Sequence, residues 1–178
     1  MAVRNILLYP HPTLRAKCKN VESFDEQLHQ LLDDMAETMY TANGVGLAAP
    51  QIGVDLQVTV IDAGDERGKD LMELINPTIV ETDDVREVGE EGCLSFPEIY
   101  APVERSTRVK VEAFDRNGEK YTVEGDGLLG VALQHEIDHL NGKLFIDYVG
   151  RFRHNQIRKQ MKKRYGKGDL FWTPTPGK

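Results

Sequence analysis

The sequence predicts an α+β fold, in which short and mostly antiparallel strands pack around one central helix, with further helices towards the N- and C-terminal ends. Three observations lead to this prediction. Apolar residues recur at helical spacing over 24–42, a strand–turn–strand pattern over 107–125 has Asn117-Gly118 at its turn, and the segment 127–141 is almost wholly apolar. The chain of 178 residues is long enough for a buried core, and we expect a single domain over 1–178.

The first predicted helix spans residues 24–42. It follows Ser23-Phe-Asp-Glu26, a capping-box pattern in which Ser23 would be the N-cap and Glu26 would reach back to it. Asn43-Gly44 ends the helical pattern. The apolar side chains of this segment predict a face that packs on the core: Phe24, Leu28, Leu31, Leu32, Met35 and Met39.

The middle of the chain is predicted to contain strands joined by loops. The small residues of GVGLAAPQIG (44–53) indicate a loop, and the β-branched residues of LQVTVID (56–62) indicate a strand. The residues on both sides of Pro77 are expected to form two short strands or one strand with a break. Glycine and proline interrupt VREVGEEGCLSFPEIY (85–100), so we predict a loop between strand ends there.

Two more helices are predicted in the C-terminal part. The segment 127–141 is apolar around most of its circumference, which is typical of a centrally buried helix. Residues 151–165 are expected to form a basic helix, and residues from about 168–178 a disordered tail. Residues 150–178 carry nine Lys or Arg and one acid although the whole chain has a net charge of -7, so this segment would suit an anionic partner.

The central helix carries a metal-ligand pattern, QHEIDH at 134–139. His135 and His139 are four residues apart and share one face of the helix, so two imidazoles can bind one cation. Glu136 projects about 100° round the helix, where it can reach the open position of such a site without being a ligand. Burying these groups in an apolar helix is costly unless something pairs them. The pattern therefore favours a metal over two core histidines that only form hydrogen bonds.

A hydrolytic metal site needs a third protein ligand and an open position. No glutamate follows Glu136, and Phe145 stands where the third histidine of an HExxHxxGxxH motif would be. Cys93 is the best of the candidates because a thiolate binds borderline cations well and Gly92 allows the backbone to approach closely. The residue type fits a small buried hydrophobe equally well. Asp147 remains open as the ligand of a metallo-endopeptidase. Three further candidates remain, His11, His29 and His154.

Three stretches in this order resemble the signature motifs of bacterial peptide deformylases: GVGLAAPQ at 44–51, EGCLS at 91–95 and QHEIDH at 134–139. The resemblance implies a hydrolase that removes the formyl group from the N-terminal formylmethionine of nascent polypeptides and releases formate. We expect such an enzyme in the cytoplasm, because the N-terminal apolar run ends at Pro10 and is too short for a secretory signal.

The resemblance also implies roles for individual residues. One divalent metal, typically Fe²⁺ with Ni²⁺, Co²⁺ or Zn²⁺ able to substitute, would be bound by Cys93, His135 and His139. Glu136 would act as the general acid and base. The side-chain amide of Gln51 and the backbone N–H of Leu94 would stabilise the oxyanion. Substrate contacts would come from Val45, Gly46, Gly92, Leu128, Val131 and Ala132.

The basic C-terminal helix resembles the segment by which some members of that family dock on the ribosome, where RNA would attract it in a salt-dependent manner. Two other classes of function remain open. One is the metallo-endopeptidase with Asp147 as third ligand, and the other is a metal-storing or ribosome-associated binding module without enzymatic activity.

Overall fold

The computed structural model describes residues 1–177, and its architecture is α+β, which confirms the predicted fold class. The helices are α1 Glu26–Thr41, α2 Gly127–Leu140 and α3 Arg151–Tyr165. The strands are β1 Ile6–Leu7, β2 Gly46–Ala48, β3 Val58–Ile61, β4 Met72–Thr82, β5 Arg86–Cys93, β6 Phe96–Ser106, β7 Arg108–Phe114, β8 Lys120–Asp126 and β9 Phe171–Trp172. Short 3-10 turns cover Pro12–Arg15, Ala49–Ile52 and Phe145–Tyr148.

Within residues 1–177, the strands form three sheets, and neighbouring strands in each sheet are antiparallel. The largest sheet has the order β2-β3-β4-β7-β8, while β5 pairs with β6 and β1 pairs with β9. The predicted Asn-Gly hairpin is the β7–β8 pair, with Gly118 at a φ of 80° in its turn. That backbone conformation is one that glycine adopts without strain.

The five-stranded sheet separates α1 from α2. Successive side chains of a strand point to opposite faces, so Val58 and Val60 of β3 belong to the core beside α1, whereas Ile61 belongs to the core beside α2. A third apolar cluster lies under α3, where Ile157 and Met161 are buried against residues of β6. Helix α2 is therefore enclosed by sheet residues, as its apolar circumference predicts, and this burial fixes the side chains that it carries.

Two local predictions in the first half of the chain are wrong. Helix α1 has Asp25 rather than Ser23 as its N-cap, because the Asp25 carboxylate accepts a hydrogen bond from Leu28 N at 3.0 Å. The predicted loop at 44–53 contains strand β2 and a 3-10 turn. Pairing with β3 gives the short β2 segment its strand conformation, a tertiary effect that the small residues do not reveal.

Two further segments differ from expectation. The predicted loop at 85–100 forms β5 and the first half of β6, two strands of one antiparallel hairpin. The tail expected to be disordered contains β9, which pairs with β1 near the N-terminus. Lys178, the end of that predicted tail, lies outside the described residues. In the part of the chain that is described, no helix combines the length and apolar character needed to cross a membrane.

Candidate metal centre

Helix α2 and the end of strand β5 bring three metal-ligating side chains together. His135 and His139 lie on one face of α2 with their Nε2 atoms 3.2 Å apart. The Sγ atom of Cys93, the last residue of β5, is 3.3 Å from His139 Nε2. The three ligand atoms all lie within 4.8 Å of one another, and residues 1–177 contain no other such group of His, Cys or acidic side chains.

This set of donor atoms fits a divalent cation. Two ring nitrogens that face each other at 3.2 Å can share at most one proton, whereas a cation between them accepts both lone pairs. In a tetrahedral site, two nitrogens about 2.1 Å from the metal stand about 3.4 Å apart, which is close to the separation seen here. One thiolate and two imidazoles suit borderline cations and leave the fourth tetrahedral position for water or substrate.

A buried carboxylate orients the first imidazole. His135 Nδ1 lies 2.9 Å from Glu91 Oε1, and a proton donated from Nδ1 leaves Nε2 free to bind a metal. Arg105 in turn donates two hydrogen bonds to Glu91, at 2.8 and 2.9 Å. Burial alone would raise the pKa of Glu91, but the hydrogen bonds from Arg105 and His135 lower it to about 2. The carboxylate therefore stays ionised at neutral pH.

The two imidazoles have different electrostatic surroundings. Burial lowers the pKa of His139, and the charges of His135 and Arg105 lower it further. Burial also opposes protonation of His135, but hydrogen bonds to Cys93 and Glu91 outweigh this effect and raise its pKa. A neutral His139 is in the form that binds metals. Its Nδ1 atom is buried and has no hydrogen-bond partner among the described residues.

Glu136 projects from α2 into the cavity beside the ligands. Its side chain is buried, and the Oε2 atom has no hydrogen-bond partner within residues 1–177. Burial raises the pKa of Glu136 to about 7, and a carboxyl group that titrates near neutrality can both accept and deliver a proton. Gly46 of strand β2 leaves room for this carboxyl group, because a Cβ atom there would lie 2.7 Å from Glu136 Oε1.

The side-chain amide of Gln51 also lies beside the candidate ligands. Its Nε2 atom lies 3.5 Å from Cys93 Sγ and 3.2 Å from Ser95 Oγ. Its Oε1 atom accepts a hydrogen bond from Ala48 N at 2.9 Å, which fixes the NH₂ group towards the site. Leu94 follows Cys93, and its carbonyl oxygen accepts a hydrogen bond from Trp172 Nε1 at 2.8 Å. Strand β9 therefore helps to hold the turn after β5.

A cavity of about 490 Å³ lies beside these side chains. His139 lies behind the wall and is 1% exposed, whereas the other two candidate ligands reach the cavity surface. The predicted catalytic residues Gln51, Leu94 and Glu136 also line the cavity. So do all six residues predicted to contact substrate: Val45, Gly46, Gly92, Leu128, Val131 and Ala132. An apolar wall beside a few convergent polar groups is typical of a small-molecule or peptide site.

The other candidate ligands have different partners. Asp147 accepts hydrogen bonds from Arg15 at 2.6 and 3.0 Å and from Leu144 N at 2.9 Å, and it is not in the ligand group. The remaining histidines form hydrogen bonds with the backbone, contacts that the sequence did not reveal. His11 accepts one from Thr13 N, His29 bonds to the carbonyl of Arg116, and His154 bonds to the carbonyl of Ile146.

Sequence reasoning missed Glu91 and Arg105, which orient His135. A signal for Glu91 was present, because it directly precedes Gly92-Cys93 and a ligating histidine commonly donates its second N–H to a carboxylate. The signal for Arg105 is its position on β6, where it continues the buried face of Ala101 and Val103. That alternation could not be recognised while the segment up to residue 100 was predicted to be a loop.

Comparison with known proteins gives one consistent answer. Residues 3–155 match the family model described as polypeptide deformylase. Peptide deformylase 1 of Bacillus anthracis is 53% identical over 152 residues, which cover 85% of this chain and 96% of that protein. The peptide deformylase of Saccharophagus degradans is 48% identical over 165 residues, covering 93% of this chain and 95% of that protein.

Solved structures agree with these relatives. A peptide deformylase from Legionella pneumophila superimposes with a TM-score of 0.87 at 48% sequence identity, covering 91% of this chain and 95% of that one. A peptide deformylase from Synechococcus elongatus, solved in complex with actinonin, gives a TM-score of 0.83 at 41% identity, covering 87% of this chain and 85% of that one.

Proposed function

Because this chain belongs to the peptide deformylase family, we propose that the cavity beside Cys93 accepts the formylmethionyl end of a nascent polypeptide. The chain is a hydrolase that removes the N-terminal formyl group from such polypeptides, as its family does. The observation that carries the residue assignment is the convergence of Cys93, His135, Glu136 and Gln51 on a single cavity. Among residues 1–177, no second site combines a metal-ligand group with such a cavity.

We assign the metal ligands as Cys93 Sγ, His135 Nε2 and His139 Nε2, and we propose Fe²⁺ as the native cation, with Ni²⁺, Co²⁺ or Zn²⁺ able to substitute. A divalent cation held there would polarise the formyl oxygen and lower the pKa of water at the open position. The mixed sulfur and nitrogen donors support a borderline cation. The thiolate also transfers more charge to the metal than a third imidazole would.

Glu136 is the residue that we propose as general acid and base. Its buried carboxyl group faces the cavity and can take a proton from the attacking water and deliver it to the departing amine nitrogen. We further propose that the Gln51 amide and the Leu94 backbone N–H stabilise the charge that develops on the formyl oxygen. The fixed orientation of the Gln51 amide supports this role, because a preorganised donor needs no rearrangement during the reaction.

The methionine side chain would lie against the apolar part of the cavity. We assign this pocket to the six predicted contact residues, with the glycines allowing the peptide backbone to approach: Val45, Gly46, Gly92, Leu128, Val131 and Ala132. Strand β2 is an edge of the five-stranded sheet, so an extended peptide could pair with it as an added strand.

The experiment that tests this proposal combines anaerobic purification, metal analysis and formate release from a short formylmethionyl peptide. We expect one metal per chain, formate release by the wild type, and loss of both metal and activity in Cys93→Ala. Asp147→Ala is the matched control, and it should keep both. A folded, metal-loaded wild type that releases no formate would contradict the proposal, as would metal that stays bound without Cys93 and is lost without Asp147.

We also propose that α3 contacts the ribosome, in the cytoplasm where polypeptides are made. Ile157 and Met161 anchor the helix, and its exposed side chains include six basic residues: Arg151, Arg158, Lys159, Lys162, Lys163 and Arg164. Contacts with RNA phosphates release counterions, so binding should weaken as salt rises. Replacing Lys159, Lys162 and Lys163 by Glu should abolish cosedimentation with ribosomes and leave formate release from a short peptide unchanged. Cosedimentation equal to that of the wild type would contradict this contact.

A further inference from the structure

A chain of four side chains extends from the candidate ligand His135 to the protein surface. We call it the Arg105 network, and it consists of Glu91, Arg105, Asp138 and Tyr148. Its members come from different elements, since they lie on β5, β6, α2 and the 3-10 turn before α3. In the inner half, Arg105 holds Glu91 against His135 Nδ1. The outer half has no assigned role.

In the outer half, Asp138 holds the free end of the guanidinium group. Arg105 Nη1 donates a hydrogen bond of 2.7 Å to Asp138 Oδ2, while the Nε and Nη2 edge is occupied by Glu91. A planar guanidinium fixed by carboxylates on two edges has little freedom to rotate. The Arg105 side chain is only 6% exposed, so its orientation sets the position of Glu91.

Tyr148 closes the network at the surface. Its hydroxyl donates a hydrogen bond of 2.7 Å to the same Asp138 Oδ2 atom. The Arg105 Cζ atom lies 4.5 Å from the centre of the Tyr148 ring, so the ring covers one face of the guanidinium. Tyr148 is 40% exposed, which places it between solvent and the buried charges. Excluding water from such charges strengthens their interactions.

We propose that Asp138 and Tyr148 are positioning residues for the metal site. They act through Arg105 and Glu91 to keep the His135 ring oriented with Nε2 towards the cation. Partners that orient ligating histidines affect metal affinity although they do not touch the metal. Loosening the outer half should therefore increase the rate at which the metal is released, while the three ligands remain in place.

A purely structural role for the same residues makes a different prediction. If Tyr148 only braced the turn against α2, its removal would lower the unfolding temperature and leave metal release from the folded protein unchanged. The chain offers a closely matched control in Tyr40, whose hydroxyl donates a 2.6 Å hydrogen bond to Asp62 and whose ring lies 4.5 Å from Arg67 Cζ. Neither partner of Tyr40 is hydrogen-bonded to a candidate ligand in the described structure.

The test compares metal release from Co²⁺-loaded wild type, Tyr148→Phe, Asp138→Asn and Tyr40→Phe. The loaded protein is mixed with an excess of a chromophoric chelator, and the unfolding temperature of each metal-free variant is measured in parallel. We expect release to be about 10-fold faster in Asp138→Asn, the lower end of effects for groups that orient metal ligands. Tyr148→Phe, which keeps the ring, should be faster by a smaller factor, and Tyr40→Phe should match the wild type.

This inference rests on the proposed metal site, and the experiment separates the two. Wild type that binds no Co²⁺ would refute the metal site itself. If the wild type binds Co²⁺ and both Tyr148→Phe and Asp138→Asn release it at the wild-type rate, only the positioning role is refuted. Faster release from Tyr40→Phe as well would refute it too, because the effect would then follow general destabilisation rather than the Arg105 network.

Discussion

Gly46 lies so close to Glu136 that its missing side chain is part of the site. A Cβ atom at residue 46 would stand 2.7 Å from Glu136 Oε1 and 2.8 Å from its Cγ, which is closer than real Cβ contacts. To relieve such a clash, the carboxyl group must leave the position that it occupies beside the candidate ligands. The absence of a side chain at Gly46 on β2 therefore preserves the orientation of the Glu136 carboxyl group on α2.

We expect Gly46→Ala to lower kcat by about 100-fold, the lower end of what a positioned acid–base group contributes, with metal content unchanged. Gly89→Ala is the matched control, because a Cβ atom there meets nothing within 4 Å. Steady-state formate release together with metal analysis makes the comparison. Equal kcat values for both variants would show that the Glu136 position is not critical.

Gln51→Ala should also reduce kcat and leave the metal bound. Removal of one oxyanion donor costs about 3 kcal/mol in other enzymes, or roughly 100-fold in rate, and the Gln51 amide is held in place by Ala48 N. The measurement is kcat and metal stoichiometry on the same preparation. Loss of metal with kcat per bound metal unchanged would instead assign Gln51 to support of Cys93.

Helix α1 shows how one hydrogen bond at the end of an element decides where that element begins. Ser23 and Glu26 match the capping-box sequence, yet the first turn uses the Asp25 carboxylate. Both residues are good N-caps by type. The choice depends on how the chain approaches the helix from Val21. The N–H and the carbonyl of Val21 are both hydrogen-bonded to the side chain of Asn76, which is 55 residues away in the sequence. The sequence alone does not show this contact.

Asp25→Ala should lower the free energy of unfolding by about 1 kcal/mol, the usual cost of losing an N-cap. Ser23→Ala should change it by less than half of that amount, since the Ser23 side chain does not cap the helix. Urea denaturation of both variants in the metal-free form provides the values. The reverse order would favour the capping box that the sequence suggests.

The β5–β6 hairpin was missed because its first strand has no buried face to recognise. Residues 86–90 are all exposed, so their polar character fits a loop as well as a strand, and the antiparallel partner supplies the strand conformation. Helix α2 was predictable for the opposite reason. A helix that is apolar around most of its circumference is usually buried. The HExxH spacing then determines which side chains share one face of the helix.

Over the whole molecule, a buried carboxylate of α1, that of Asp34, helps to hold the N-terminal segment against the helix. Asp34 accepts hydrogen bonds from Arg4, from Gln30 and from the Ala2 N–H. Burial alone would raise the pKa of Asp34, but these hydrogen bonds outweigh burial and hold the pKa below the usual value of an aspartate. Strand β1 follows directly and pairs with β9, so the same segment joins both ends of the chain.

This carboxylate makes stability depend on pH. Because the folded pKa is below the unfolded one, the contribution of Asp34 is fully present above about pH 4 and is lost as the pH falls through the folded value. The difference in unfolding free energy between the wild type and Asp34→Asn should therefore be largest near neutrality and shrink in acid. Urea titrations at several pH values measure it. A difference independent of pH would contradict the assignment.

The sequence was sufficient for the fold class, through its apolar patterns, and for the polar groups that meet in the cavity, since three motifs of one family contain them. It was not sufficient for the residues that hold them in place, Glu91, Arg105 and Trp172. Their contacts depend on the register of the strands and on the pairing of β1 with β9. Trp172 illustrates the point. A residue from a tail expected to be disordered donates a hydrogen bond to Leu94, the residue to which we assign the second oxyanion donor.

The central claim is that a sulfur of β5 and two ring nitrogens of α2 bind one cation together. X-ray absorption of the protein loaded with Co²⁺ tests this claim most directly. We predict one sulfur at about 2.3 Å and two imidazole nitrogens at about 2.1 Å, with the sulfur contribution unchanged in Cys18→Ala, which leaves Cys93 as its source. A coordination shell made only of nitrogen and oxygen, or a sulfur contribution that is lost in Cys18→Ala, would contradict the account.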